Sequence, residues 1–210
     1  MSMQMSDVAR FILVRHGQTG WNREERFRGW VDIDLDETGL RQAEAVAQRI
    51  TQWKLDAVYS SPLKRAVSTA QAIAKQFGLS VVTLDGISDM NFGEWQGLAI
   101  EEVKQRYPEQ FDFWLNSPHR LKISGGETLD EVRRRAVAVI DELAARHVDE
   151  TIAVVTHRVV CKVLLLSFLG LDNSHFWQIG QDTTAINAFE IYKGKPTVTL
   201  INDTCHLGGK

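Results

Sequence analysis

Arg15, His16 and Gly17 open the run RHGQTGWNREERFRGW, which follows directly on an apolar burst. A histidine just past a buried strand is held by rigid scaffold, and a neighbouring glycine lets the backbone turn sharply or approach a ligand closely. Thr19 and Asn22 add uncharged hydrogen-bonding groups and Arg28 adds charge, so the run is dense in groups that grip an oxyanion. RHG alone fits a structural histidine equally well. A further cation, Arg65, stands in SSPLKRAVSTA, where a strand gives way to a helix. The helix dipole favours negative groups at that end. Arg65 is therefore either an exposed first-turn arginine or shares one anion with the helix N-terminus. His157 ends the apolar strand TIAVVT, either as a buried neutral imidazole or as a neighbour of His16. Together Arg15, His16, Arg65 and His157 make a positive pocket suited to a dianion.

Other chemistries find less support. Catalytic zinc takes three protein ligands as a rule. His119, His147, His175 and His206 form neither HExxH nor HxH, and arginines beside His16 and His157 would repel a divalent ion. No metal and no organic cofactor is expected. The chain has no GxSxG, no GxxxxGK[ST] and no GxGxxG after its first strand.

The elements that must hold these groups alternate along the chain. RFILV, Arg10 to Val14, reads as a strand covered on both faces. Leu40, Ala43, Val46, Ala47 and Ile50 mark the inward face of a helix. Asp56 to Ser60 is a second strand, and the next helix starts at Ser61 as cap with Pro62 in its first turn. That helix turns Leu63, Ala66, Val67, Ala70 and Ile73 inward and stops near Gly78. Leu79 to Leu84 is a third strand, and the aromatic stretch from Asp85 to Gly126 holds two short helices as a cap. Thr128 and Glu131 have capping-box spacing ahead of a long helix. Thr151 to Val155, a buried helix from Val159 to Leu169 and a hairpin around KGKP complete the order.

The chain has 210 residues, 44% hydrophobic and 24% charged, which fits one compact soluble domain, 1–210, with a cap or specificity insertion over about 95–125. Roughly 7 residues of loose tail precede the first strand. The fold expected is α/β, a three-layer sandwich with a mostly parallel sheet covered by helices, whose ligands lie beyond the carboxyl ends of the strands. A net charge of −3 argues against a nucleic-acid track. The strongly apolar VVCKVLLLSFLG is too short to span a membrane and carries Lys162. Two cysteines without a framework and no signal-peptide pattern make the cytoplasm the default. Trp177 and the apolar C-terminal strands serve either a homodimer interface or the core.

RHGQTGWN, SPLKRAVSTA, SDMNFGEWQG, SGGETLDE and VVTHR stand in the order seen in the histidine phosphatase superfamily, which includes cofactor-dependent phosphoglycerate mutases. The chain resembles that superfamily over nearly its whole length. The resemblance implies a phosphoglycerate mutase-like fold, His16 as nucleophile, and Arg15, Arg65 and His157 as holders of the phosphoryl group, with Asn22 orienting the pocket. Gly17 and Thr19 belong to the same binding run. The family's proton donor is usually a glutamate just before FGEWxG, where this chain has Asp89. Either the backbone compensates for the shorter side chain, or another acid such as Glu94 takes the role. Arg28 replaces a small hydroxyl residue and Arg158 a glycine. These two guanidiniums either favour substrates with another anionic group or pair with Glu24, Glu25 or Asp32.

The implied chemistry is metal-independent phosphomonoester hydrolysis through a phosphohistidine. A protonated His157 stabilises the transferring group and protonated Asp89 serves the leaving alkoxide. Family mutases carry a longer insertion before the late histidine, so the short segment here favours a phosphatase over a mutase. A non-catalytic phospholigand-binding or interaction role is the reading of another class. Relatives act on phosphoglycerate, phosphoserine, sugar phosphates and α-ribazole phosphate. Tyr107 to Arg120, with Phe111, Phe113, Trp114 and His119, is either the specificity wall for such a small metabolite or a plain helical cap.

Overall fold

The computed structural model describes residues 7–208. The loose tail expected before the first strand falls, apart from Asp7, outside the described residues. Strand β1 (Val8–Arg15) leads to the one-turn helix α1 (Gly20–Arg23) and to α2 (Glu37–Ile50). Strand β2 (Ala57–Ser60), helix α3 (Lys64–Phe77) and strand β3 (Val81–Thr83) follow. The short helices α4 (Ile100–Arg106) and α5 (Pro108–Asn116) form the expected cap, and α6 (Leu129–Arg146) leads to β4 (Thr151–Thr156). Helix α7 (Arg158–Phe168) and the hairpin β5 (Ile186–Tyr192) and β6 (Lys195–Asp203) end the order.

The sheet runs β3-β2-β4-β1-β5-β6. The first four strands in that order are parallel, and the hairpin adds two antiparallel strands at one edge. The fold is thus the mixed α/β sandwich read from the sequence. Side chains alternate across β1 because successive residues of a strand point to opposite faces. Phe11 and Leu13 join the core under α6 and α7, while Ile12 and Val14 join the core under α2 and α3. Strand β4 divides in the same way, Ile152 and Val154 against Ala153 and Val155. Both strands are buried on two sides, which is why they read as unbroken apolar runs.

Register is what positions the site. Arg15 lies opposite Thr156 in the parallel β1–β4 ladder, so His16 and His157 leave the sheet side by side. The His16 N–H continues the ladder to the Thr156 carbonyl at 2.9 Å.

Three local expectations are corrected. Helix α3 begins at Lys64, not at Ser61, because the Ser61 N–H still bonds the Val155 carbonyl at 3.0 Å and keeps that residue on the sheet. Leu40 is 52% exposed although it was placed inward. Its place on the inward face of α2 is taken by Gly39, whose backbone packs against Gln18 so closely that a Cβ would lie 2.0 Å from the Gln18 carbonyl oxygen. Leu63 and Val67, placed inward on α3 by periodicity, are only half-buried. The α6 capping box is as expected: Glu131 accepts from the Thr128 N–H at 2.7 Å, and Thr128 Oγ1 from the Glu131 N–H at 3.3 Å. The hairpin turns through Lys193 and Gly194, both at positive φ, a twist that matches the flanking strands.

Candidate active site

The ends of β1 and β4 bring the two predicted histidines together, with ring centroids 5.1 Å apart and both residues fully buried. His16 Nδ1 lies 2.6 Å from the Gly17 carbonyl oxygen. A carbonyl only accepts, so Nδ1 carries the proton and Nε2 the lone pair. Nε2 is buried with no hydrogen-bond partner among the described residues. Burial, followed by the charges of Arg65, Arg15 and Arg28, holds the His16 pKa well below its ordinary value. The imidazole is therefore neutral at pH 7, with its lone pair available.

His157 Nε2 shares a 2.7 Å hydrogen bond with Ser61 Oγ, and Nδ1 lies 3.6 Å from Asp89 Oδ2. Burial, then the charges of Arg65 and His16, push the His157 pKa well below the ordinary value.

Arg65 is not an exposed first-turn residue. Its guanidinium is buried and donates to the carbonyls of Val31 (2.9 Å) and Gly29 (2.8 Å) and to Asp89 Oδ2 (3.1 Å). The α3 N-terminus it was expected to share with a ligand is taken by Asp32, whose Oδ1 accepts from the Lys64 N–H at 2.8 Å. Arg15 Nη1 donates to the Gln181 carbonyl at 2.6 Å while its Nε is buried and unpartnered. Burial, aided by repulsion from Arg28 and Arg158, lowers its pKa to about 9.

Asp89 stands between this buried cluster and an open cleft of about 270 Å³ that it helps to line. Its main chain is anchored on two sides. The Asp89 carbonyl accepts from Trp30 Nε1 and from Arg135 Nη2, each at 2.8 Å. Arg135 is braced by two bonds to the Glu127 carboxylate at 2.8 and 3.0 Å. Glu94, the alternative acid, is exposed and accepts from the Tyr107 hydroxyl at 3.3 Å, away from the histidines.

Two of the expected contact residues make bonds within the chain. Thr19 is fully buried and gives its N–H and Oγ1–H to Asn22 Oδ1, each at 2.9 Å. Asn22 lines the cleft. Gly17 gives its N–H to Thr69 Oγ1 at 3.1 Å, and its missing Cβ makes room for the Gly39 carbonyl, 2.5 Å from where that atom would sit. The backbone of α2 thus comes close to Gly17 on the side where a Cβ would stand.

Arg28 and Arg158 both line the cleft; of the surface pairs considered for them, Glu24 binds Arg26 and Asp32 caps α3, while Glu25 lines the same cleft. Phe111 and Trp114 of α5 face the cleft, while Phe113 stacks with Arg120. Trp177 closes the wall inside the chain. Its Nε1 donates to the Trp114 carbonyl at 2.6 Å, and its ring lies 5.1 Å from the Arg158 guanidinium and 4.4 Å from Lys162 Nζ. Lys162 is buried, donates to the Phe176 carbonyl at 3.1 Å, and has its pKa lowered by that burial to about 7.

The sequence does not single out Thr69, Arg135, Glu127 or Gln181, and marks Ser61 only as a helix cap. Of these, Glu127 lies inside SGGETLDE, and Ser61 and Thr69 inside SSPLKRAVSTA. Among the described residues, no group of three His, Cys, Asp or Glu side chains is placed to hold a metal ion, and no helix is long and apolar enough to cross a membrane.

Comparison with known proteins adds an independent line. The model of the histidine phosphatase superfamily (branch 1) matches residues 11–204. Phosphoserine phosphatase 1 of Hydrogenobacter thermophilus is 38% identical over 201 residues, covering 96% of this chain and 95% of its own. The solved structure of Bacillus stearothermophilus YhfR superposes with a TM-score of 0.92 at 30% identity, covering 95% of this chain and 99% of that one. A mutant phosphoserine phosphatase of Entamoeba histolytica, solved in complex with phosphoserine, superposes at 0.85 with 30% identity and the same coverage. A phosphoserine phosphatase of that organism has also been solved with 3-phosphoglyceric acid, at a TM-score of 0.85 and 31% identity, again with that coverage.

Proposed function

The chain belongs to the histidine phosphatase superfamily, and from that membership we propose that it hydrolyses a small phosphorylated metabolite by way of a phosphohistidine on His16. The single observation that carries the reading is the state of that ring. Its Nδ1–H is fixed on the Gly17 carbonyl, its Nε2 has no partner, and its cationic surroundings keep it unprotonated.

In the first transfer, Nε2 of His16 attacks phosphorus as the bond to the ester oxygen breaks. Arg15 and Arg65 hold the equatorial oxygens, where guanidinium forks match the charge that develops. Asn22 adds its Nδ2–H. With the Ser61 hydroxyl donating to His157 Nε2, His157 carries its proton on Nδ1 and turns it toward the same oxygens. Asp89 Oδ2 occupies the position where an entering oxyanion meets both Arg65 and His157. Protonated Asp89 yields that place to the phosphoryl group and gives its proton to the departing alkoxide. In the second transfer the Asp89 carboxylate takes a proton from water, whose oxygen attacks the phosphohistidine, and inorganic phosphate leaves. Dividing one difficult displacement between two easier ones is the advantage of the covalent route.

The cap segment 95–125 sets specificity in this reading, since Phe111, Trp114 and Leu115 line the cleft. The unpaired Cys161 and Cys205 suit a reducing compartment such as the cytoplasm.

The test is a rapid-quench experiment with a labelled phosphomonoester. The wild-type protein should accumulate an acid-labile phosphoenzyme and release phosphate rather than an isomer of 3-phosphoglycerate. His16→Ala should lose both the phosphoenzyme and, by roughly 10⁴-fold or more, turnover. A His16→Ala protein that still forms the acid-labile adduct would remove His16 from the mechanism.

A further inference from the structure

Asn187 and Asn202 belong to the C-terminal hairpin, and the phosphoryl chemistry described above gives neither a role. We propose that both are positioning residues for Arg15: their side-chain amides hold Gln181 and Asp182 against the hairpin so that the Gln181 carbonyl sets the orientation of the guanidinium. The proposal rests on the phosphatase reading and deepens it.

Asn187 is fully buried in β5, where the other buried residues are Ile186, Phe189 and Ile191. Asparagine is a poor strand residue, and its amide is costly to bury unless it is hydrogen-bonded. Here the amide makes four hydrogen bonds, the full capacity of the group. Oδ1 accepts from Gln181 Nε2 at 2.7 Å and from the Asn202 N–H at 2.9 Å. Nδ2 donates to Gln181 Oε1 at 3.0 Å and to the Leu13 carbonyl of β1 at 3.1 Å. The Leu13 carbonyl can only accept and the Asn202 N–H can only donate. The Asn187 amide therefore has one orientation, and the buried Gln181 side chain must follow it.

Asn202 completes the grip from β6. The β5–β6 register shifts between Ile186 and Ala188, and beside that step Asn202 stands at a φ of 55°. Asparagine tolerates this left-handed conformation better than most residues. Its Oδ1 accepts the Asp182 N–H at 2.8 Å, and its Nδ2 donates to Asp182 Oδ2 at 3.2 Å. Both strands of the hairpin thus hold the 181–182 peptide.

The Gln181 carbonyl accepts from Arg15 Nη1 at 2.6 Å. A guanidinium is a rigid plane, so fixing one N–H on a carbonyl restricts where its other donors point. Among those donors Nε is buried with no hydrogen-bond partner among the described residues. Donors oriented in advance need no rearrangement as charge develops on the transferring group. Two main-chain bonds nearer β5 seat the strand end itself: Arg15 N–H to the Ala185 carbonyl and Thr184 N–H to the His16 carbonyl, each 3.3 Å. Neither involves an asparagine side chain, so the amides act on the guanidinium end.

The experiment is a double-mutant cycle with Arg15→Ala. Asn202→Gly keeps a residue suited to positive φ and removes both bonds to Asp182; Asn187→Ala removes the central amide. The kcat and KM are measured on whichever of phosphoserine, 3-phosphoglycerate and p-nitrophenyl phosphate the wild-type protein cleaves fastest. Inhibition by vanadate, which adopts the five-coordinate shape of the transferring group, is compared with inhibition by inorganic phosphate. Each asparagine variant should lower kcat by about 10-fold or more and weaken vanadate more than phosphate. In the Arg15→Ala background the same substitutions should change kcat by less than about 2-fold. A role confined to structure would lower the unfolding midpoint in both backgrounds and leave kcat of the folded protein alone. An unchanged kcat, or the same factor lost with and without Arg15, would overturn the positioning role while the phosphatase reading stands. Asn202→Gly, the milder change, decides the matter if Asn187→Ala does not fold. A wild-type protein that cleaves none of the three esters would overturn the phosphatase reading and this proposal with it.

Discussion

In the proposed mechanism, Asp89 is the residue on which the chemistry of the leaving group turns. Its Oδ2 touches Arg65 and faces His157, and its Oδ1 accepts the Met90 N–H at 3.0 Å. Asp89→Asn keeps the shape and removes the transferable proton. We expect it to slow hydrolysis of alkyl phosphates by about 10²–10³-fold, and hydrolysis of p-nitrophenyl phosphate far less, because p-nitrophenolate departs without help. Equal losses on the two esters, measured as kcat, would take the acid role from Asp89. The sequence shows Asp89 by its place ahead of FGEWQG and shows Arg15, His16, Arg65 and His157 by theirs at strand and helix ends. It does not show what holds them. Ser61 reads as a helix cap because serine before proline has that habit. Its bond to His157 depends on a residue 96 positions away in the chain, which no local pattern encodes.

At the scale of elements, the loop after β1 is fixed by the start of α2, where two backbones meet without side chains between them. A Cβ on Gly39 would lie 2.0 Å from the Gln18 carbonyl oxygen. Gly39→Ala should therefore destabilise the protein by about 1–3 kcal/mol, the usual cost of forcing extra atoms into a packed contact. Gly20→Ala, which meets nothing within 4 Å, is the matched control and should be neutral or slightly stabilising. Urea unfolding of the two variants checks this, and equal stabilities would refute the contact as the reason for glycine. Element types and order were legible from apolar periodicity. The inward face of α2 was misjudged at Leu40, because hydropathy cannot show that a glycine's bare backbone makes the contact. The Arg135–Glu127 brace under Asp89 was hidden for a related reason. Both residues are charged and surface-like in composition, and only the placement of α6 against the 86–89 segment buries their bonds.

The whole molecule carries the site's electrostatics as a dependence of stability on pH. His16 and His157 are neutral in the fold, with pKa values held well below the ordinary 6.5, chiefly by burial. In the unfolded chain each takes up a proton below about pH 6.5. The unfolded state then binds more protons than the native state, so stability is complete above that pH and is lost as pH falls toward the native pKa values. The expected slope is about 1.4 kcal/mol per pH unit for each histidine, and near 3 for the pair. Unfolding free energies measured between pH 7 and 5 should show the decline, and His157→Gln should roughly halve it. A flat profile over that range would mean that the two rings are protonated in the fold.

The parallel ladder that sets Arg15 opposite Thr156 has a consequence for how such a protein can change over time. Sliding either strand by one step would carry its imidazole about 3.3 Å along and over to the opposite side of the sheet, so the reactive pair tolerates no slippage. The aromatic and basic lining near α5 lies outside that ladder and can be exchanged residue by residue. New substrates are thus open to this scaffold through ordinary point mutation, while the phosphoryl-transfer step is inherited intact with the main chain.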